Sequence, residues 1–380
     1  MTIYRERMAP PRLLGIFAHP DDEVFCAGGT LAVYTARGAE AIVCSATRGE
    51  AGQIRDATVA TRRTLGAVRE GELRDACAIL GVDRVSCLDY RDGTLRDVDR
   101  AVLVADVEKI LGEVQPDVVI TFGPDGAYGH PDHIAISEAT TQAYLSILAT
   151  RQPPARLYHS HFPRSRLLLR DRLAHWLVEL HERFKGSDGF AQSLTLFAEE
   201  STSLRYARDH IEVKWFPPGL YLVEQGEPAT SLYLILSGQV EARQDRPDGS
   251  TEVLRRMGPG EFFGELGVVE GVRTASVVSL DSVTCLLFYP GKPTLFAARG
   301  SDVHLPSIVE GADGDDGPAA TTQIDVSTHI AAKVSAIAAH RSQFPIHPDM
   351  LPAGMLQDLM GKEYFVRVHP PIPPETDLLG

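Results

Sequence analysis

The sequence predicts an α/β fold: a largely parallel sheet with helices on both faces, interrupted by an inserted β-roll. Three observations predict it. Short apolar runs alternate with helical periodicity over residues 1–165. From 211 to 290 the pattern changes to short runs broken by Gly and Pro, as at Pro217-Pro218-Gly219, Gln225-Gly226-Glu227 and Gly258-Pro259-Gly260. After a loop-like Gly/Asp stretch at 311–318, strand and helix signals resume.

In chain order, 13–18 reads as a buried strand and 28–37 as a helix. Residues 41–45 form the next strand. Leu73, Cys77 and Leu80 share a helical face over 69–80, ended by Gly81. A short strand at 85–88, a helix at 102–111, a strand at 118–122 and a helix at 133–148 follow, with one more strand at 157–162. This succession of βα units is Rossmann-like. Residues 166–184 carry an amphipathic pattern (Leu167, Leu168, Leu173, Trp176, Leu177, Leu180). Beyond the linker, 322–327 reads as a strand and a helix runs through Lys333, Ile337 and His340.

Composition narrows the function. The chain has 380 residues, enough for two domains, and is 44% hydrophobic, enough for a packed core. A net charge of −14 argues against nucleic acid as a partner. The opening residues lack an apolar core and no long apolar run follows, so neither a secretory leader nor a membrane span is expected. Five cysteines without CxxC spacing predict buried thiols in a reducing cytoplasm.

Two clusters carry the chemistry. Ala18-His19-Pro20-Asp21-Asp22-Glu23 and Tyr128-Gly129-His130-Pro131-Asp132-His133 each follow an apolar run and precede a helix. Either alone fits a helix cap or a surface turn. Both at the same C-terminal sheet edge, where open α/β sheets bind ligands, can converge and supply nitrogen and oxygen donors for one zinc ion. His159, His161, His175, His181, His210, His304, His329, His347 and His369 read as surface or packing residues.

These clusters resemble the PIG-L/LmbE-like family of zinc-dependent N-deacetylases, which act on N-acetylglucosaminyl conjugates. The likeness extends to Thr47-Arg48-Gly49-Glu50-Ala51-Gly52, Val68-Arg69-Glu70-Gly71-Glu72-Leu73 and Tyr90-Arg91-Asp92-Gly93, and reappears in Ile324–Ser327 and Ala336–Gln343. It covers 11–165 and 319–367. The resemblance implies His19, Asp22 and His133 as metal ligands and Asp21 as general base. It implies His130 as oxyanion stabiliser or proton donor, Asp132 as the residue orienting a histidine, and Tyr128 as a further oxyanion donor. Arg69 and Asp92 resemble positions that hold sugar hydroxyls, with Arg48 and Glu50 beside them. His340 is expected to support the fold rather than bind metal.

The middle segment has its own signature. Phe216–Gly219, Leu232–Gly238, Gly258-Pro259-Gly260-Glu261-Phe262-Phe263-Gly264-Glu265-Leu266-Gly267 and Arg273-Thr274-Ala275 resemble a cyclic-nucleotide-binding domain. The resemblance implies that Gly264, Glu265 and the Leu266 and Gly267 amides receive the nucleotide. Glu265 would meet the ribose 2′-hydroxyl and Arg273 the phosphate. Thr274 fits either cAMP or cGMP. No helix-turn-helix follows, so a transcription factor is not predicted. The expected domains are 1–190 with 305–380, and an insertion at 191–304. The expected function is zinc-dependent hydrolysis of an N-acetyl amide on a small sugar conjugate, modulated by a cyclic nucleotide. The alternatives are a thiol-conjugate amidase with the same zinc chemistry, or a nucleotide-binding module on an inactive scaffold.

Overall fold

Strand β1 (Arg12–Phe17) is buried along all but its first residue, as an apolar run flanked by strands and covered by helices must be. It pairs in parallel with β2 (Glu40–Thr47) on one side and β4 (Val118–Phe122) on the other. β3 (Arg84–Tyr90) extends the sheet beyond β2, and β5 (Arg156–His161) beyond β4, both in parallel. The computed structural model describes residues 9–54, 56, 58–149, 155–161, 211–265, 271–288, 320–344, 346–348, 353–371 and 375–379.

The chain builds β1, β2 and β3 outward, then crosses back to place β4 on the other flank of β1. The strand order therefore reverses between β1 and β4, and the loops leaving those two strands diverge to open a crevice. Both histidine–carboxylate clusters lie on those loops.

Helix α1 (Asp22–Ala36) starts inside the first cluster, earlier than the expected residue 28, because Asp22 and Glu23 suit the positive end of a helix. α2 (Leu65–Ile79) also starts earlier than periodicity indicated. α3 (Arg100–Val114) is capped by Asp99, whose side chain accepts from the Ala101 amide. A short α4 (Gly126–Gly129) precedes α5 (Pro131–Ile147), which has proline in its first turn and His130 as its cap.

The roll comprises two four-stranded antiparallel sheets. One contains β6 (Ile211–Phe216), β8 (Leu232–Ser237), β11 (Phe262–Phe263) and β13 (Val283–Phe288). The other contains β7 (Tyr221–Val223), β9 (Val240–Asp245), β10 (Thr251–Met257) and β12 (Ser276–Ser279). Leu222, Tyr233, Ile235, Val240, Ala242, Phe263, Val277 and Cys285 fill its core. The roll meets the α/β part where Ser282 Oγ donates to Asp56 Oδ1 at 3.2 Å and the His347 amide donates to the Leu236 carbonyl at 3.2 Å.

After the roll the chain returns to the first sheet with β14 (Thr322–Asp325), α6 (Ile330–Ala339), α7 (Ala353–Met360) and β15 (Lys362–His369). β15 runs antiparallel between β5 and β14, an edge that the sequence reading lacked. The amphipathic stretch at 166–184, the loop-like stretch at 311–318 and the boundaries at 190/191 and 304/305 lie outside the described residues. All five cysteines are free thiols. Among the described residues no helix is long and apolar enough to cross a membrane.

One buried ion pair fastens the returning segment to α1. Lys333 Nζ lies 2.7 Å from Glu363 Oε1, and the two Glu363 oxygens accept the Gly29 and Thr30 amides at 2.8 Å each. Removing the cation leaves a buried carboxylate uncompensated. Lys333→Ala should therefore cost about 3–5 kcal/mol, read as a lower urea midpoint than the wild type.

Candidate metal and catalytic centre

Three donor side chains from the two clusters converge at the crevice. His19 Nδ1 lies 3.2 Å from His133 Nε2 and 3.4 Å from Asp22 Oδ2, and His133 Nε2 lies 3.3 Å from Asp22 Oδ1. Donors on one tetrahedral zinc at ~2.0–2.2 Å stand about 3.3–3.5 Å apart. The spacing and the two-imidazole, one-carboxylate chemistry fit a zinc ion with an open coordination position.

The outer nitrogens of both imidazoles are engaged, which fixes their tautomers. His133 Nδ1 is 3.1 Å from the Gly126 carbonyl. His19 Nε2 faces Asp92 Oδ1 at 3.0 Å and Asp132 Oδ2 at 3.4 Å. With those outer nitrogens donating, Nδ1 of His19 and Nε2 of His133 present lone pairs inward. Asp132 is itself held by the Gly93 and Leu95 amides at 2.7 and 3.0 Å. Burial opposes ionisation of Asp22, but His133 and His19 outweigh it and hold its carboxyl far below the usual range. For His19, burial works against protonation, while Asp132, Asp22 and Asp92 outweigh it and raise its pKa.

Asp21 turns away from the donor triangle. Its backbone is left-handed, with φ 106°. Its carboxylate pairs with Arg69 Nη2 at 3.0 Å. Burial pushes that carboxyl up to about 6 against the opposing Arg69 charge. Arg69 is 4% exposed and also donates to the Gly49 and Pro20 carbonyls at 2.7 and 2.5 Å. The structure thus places Arg69 behind Asp21, and Asp92 behind His19 with its second oxygen accepting the Ala51 amide at 2.9 Å.

His130 stands beside both converging imidazoles, with ring centroids 4.9 Å from His19 and 4.6 Å from His133. Its Nδ1 accepts the Asp132 amide at 3.2 Å. Burial, then the neighbouring His133 and His19, lower its pKa. The Tyr128 side chain lies outside the described residues. Arg48 sits on the exposed rim, paired with Glu70 and Asp89 at 2.7 Å each.

Glu50, expected beside the sugar-contacting positions, makes a bond within the protein, and Glu23 has a partner that the sequence does not indicate. Glu50 Oε1 accepts the Asp92 amide at 3.0 Å, locking the rim loop to the loop after β3. Glu23 is 1% exposed and pairs with His340 at 2.6 Å. A carboxylate beside an apolar helix face signalled the need for a partner, but nothing local named His340.

A family model described as GlcNAc-PI de-N-acetylase (PIG-L) matches residues 14–144, and a cyclic nucleotide-binding domain model matches 213–292. A 1D-myo-inositol 2-acetamido-2-deoxy-alpha-D-glucopyranoside deacetylase of Mycolicibacterium vanbaalenii is 33% identical over 274 residues, 63% of this chain and 95% of that one. The chain belongs to the PIG-L family. A protein of the same name from Mycolicibacterium gilvum is 42% identical over 156 residues, 36% of this chain and 55% of that relative. In that match and others like it, the chain spans little more than half the relative's length. An N,N′-diacetylchitobiose deacetylase structure from Pyrococcus horikoshii is 29% identical, with TM-score 0.34, over 39% of this chain and 59% of that one.

In this PIG-L protein the roll carries its own set of residues. Arg273 is buried, donating to the Ser231 carbonyl at 2.8 Å and the Gly264 carbonyl at 3.3 Å. Its guanidinium carbon lies 5.8 Å from the Tyr233 ring centroid, and burial lowers its pKa. Gly264 has φ 103°, and a Cβ there would press on the Ser231 carbonyl and on Arg273 itself, so only glycine fits. Glu265 is partly buried, and the Thr274 carbonyl accepts from Gln244 at 3.1 Å. Leu266 and Gly267 lie outside the described residues.

Gly49 is the tightest fit around the His/Asp cluster. It has φ 66°, and a Cβ there would collide with the Arg69 guanidinium. Gly49→Ala should destabilise the protein by about 2 kcal/mol, from left-handed strain and overpacking, as measured by urea unfolding.

Proposed function

We propose that the protein hydrolyses the N-acetyl amide of a glucosamine-type sugar conjugate, with zinc held by His19, Asp22 and His133. The observation that carries this reading is the convergence of His19, His133 and both carboxylate oxygens of Asp22, at separations of 3.2–3.4 Å. The names of the relatives support the substrate class. Zinc supplies a Lewis acid for the amide carbonyl and lowers the pKa of water toward ~7.

The chain's own residues do the rest. Asp21 accepts a proton from the attacking water as the new C–O bond forms. His130 donates to the developing oxyanion and then a proton to the nitrogen as the C–N bond breaks, releasing acetate and the amine. Asp132 and Asp92 orient His19, and Arg69 orients Asp21. Tyr128 adds a hydrogen bond to the oxyanion. Arg48 and the outer rim face the rest of the sugar conjugate.

The roll receives cAMP or cGMP, with Glu265 on the ribose and Arg273 on the phosphate, and its occupancy modulates hydrolysis. Retention of both residues within a matching domain supports this assignment. Arg273 exchanges its carbonyl partners for phosphate oxygens when the nucleotide binds, replacing neutral acceptors by charged ones.

Assaying amine release from N-acetylglucosaminyl-inositol tests the reading. Chelation should abolish turnover and one equivalent of zinc should restore it. Asp21→Asn should lower kcat by ~10²–10⁴ with zinc content unchanged. An inactive zinc-loaded wild type would sink the proposal. A flat rate across cAMP and cGMP titrations would remove the modulation alone.

A further inference from the structure

We infer that Glu23 and His340 form a clamp that positions Asp21, a role resting on the functional reading above. Asp21 stands at the head of α1 in a left-handed conformation, and its side chain makes no cap bond to the helix. Its backbone is fixed instead by a neighbour: the Asp21 amide donates to Glu23 Oε2 at 2.9 Å. The other Glu23 oxygen meets His340 Nε2 at 2.6 Å. His340 is fully buried and its Nδ1 has no hydrogen-bond partner, so the ring's polar contact is committed to Glu23.

The turn that carries His340 holds Asp21 from a second direction. The Ser342 amide and hydroxyl both donate to Glu72 at 2.6 Å. Glu72 lies one turn along α2 from Arg69, the residue paired with the Asp21 carboxylate. Phe344 packs edge-on to Phe25 in the first turn of α1, at 4.9 Å between ring centroids. One short segment after the roll therefore grips α1 through Glu23 and α2 through Glu72. The two grips fix the backbone and the side chain of Asp21. Neither Glu23 nor His340 belongs to the donor triangle. Both are positioning residues, acting on the geometry of proton transfer.

The test uses the zinc-loaded full chain. His340→Ala should lower kcat about 10- to 100-fold, the scale of a small misplacement of a reacting group, with KM within about twofold and zinc stoichiometry unchanged. Glu23→Gln, nearly isosteric, keeps the variant foldable if His340→Ala is not, and should lower kcat about 10-fold. The double variant should be no slower than the slower single, because both changes break one device. Hydrogen exchange at the Asp21 amide, resolved by fragmentation mass spectrometry, should accelerate at least tenfold in either variant while the later turns of α1 keep their protection. Folded variants with wild-type kcat, or unchanged protection at Asp21, would overturn the clamp. A wild type that releases no amine overturns the functional reading instead, and the exchange measurement still decides whether the clamp exists.

Discussion

Asp21 and Asp22 are consecutive, yet they serve different partners. Asp22 closes the donor triangle and Asp21 faces Arg69. Left-handed backbone at Asp21 achieves this divergence, and a non-glycine residue adopts it at a cost of about 1–3 kcal/mol. Such strain persists only where surroundings over-determine it. Here Pro20 precedes the turn, Arg69 takes the Pro20 carbonyl, and Glu23 takes the Asp21 amide. The sheet makes its own contribution. Because strand order reverses between β1 and β4, the strained turn opens onto the second cluster rather than onto a packed neighbour.

A centre this rich in buried charge survives only if nearly every polar atom has a partner. That requirement explains loops which otherwise look arbitrary. The loop after β3 carries Gly93 and Leu95 amides to Asp132, and the rim loop carries the Ala51 amide to Asp92. Those bonds hold two carboxylates at His19 Nε2 and leave the opposite ring nitrogen facing the crevice. The same packing keeps Arg69 behind Asp21, where it opposes the upward push of burial on that carboxyl.

The sequence made the strands of the parallel core legible because they are apolar runs buried on both faces, as in β1 and β4. The two clusters were legible for a local reason: His, Pro and Asp stand side by side at strand ends. Helix starts were less so. α1 begins among the acidic residues Asp22 and Glu23, which mask helical periodicity. β15 alternates buried Glu363, Phe365 and Arg367 with partly exposed neighbours, and two of those buried residues are charged. Its pattern therefore resembles a polar surface until Lys333 and Glu375 are seen as partners. Glu23 and His340 are 317 positions apart with the roll between them, so no spacing rule could have paired them.

The roll enters the chain between β5 and β14, two strands of the same sheet, and it touches the α/β part at the rim. Asp56 is the knot of that contact. Its carboxylate accepts the Thr58 amide and hydroxyl and the Ser282 hydroxyl of the roll, and it pairs with Arg341 at 2.9 Å. Burial raises its pKa, but the Thr58 bonds and Arg341 outweigh this and leave it ionised below the usual range. Arg341 is the neighbour of His340. A nucleotide in the roll can alter hydrolysis only by as much as its affinity differs between two arrangements of such a junction. Asp56 is buried, ionic and shared by three segments, so displacing Ser282 would cost it one of the bonds that offset its burial.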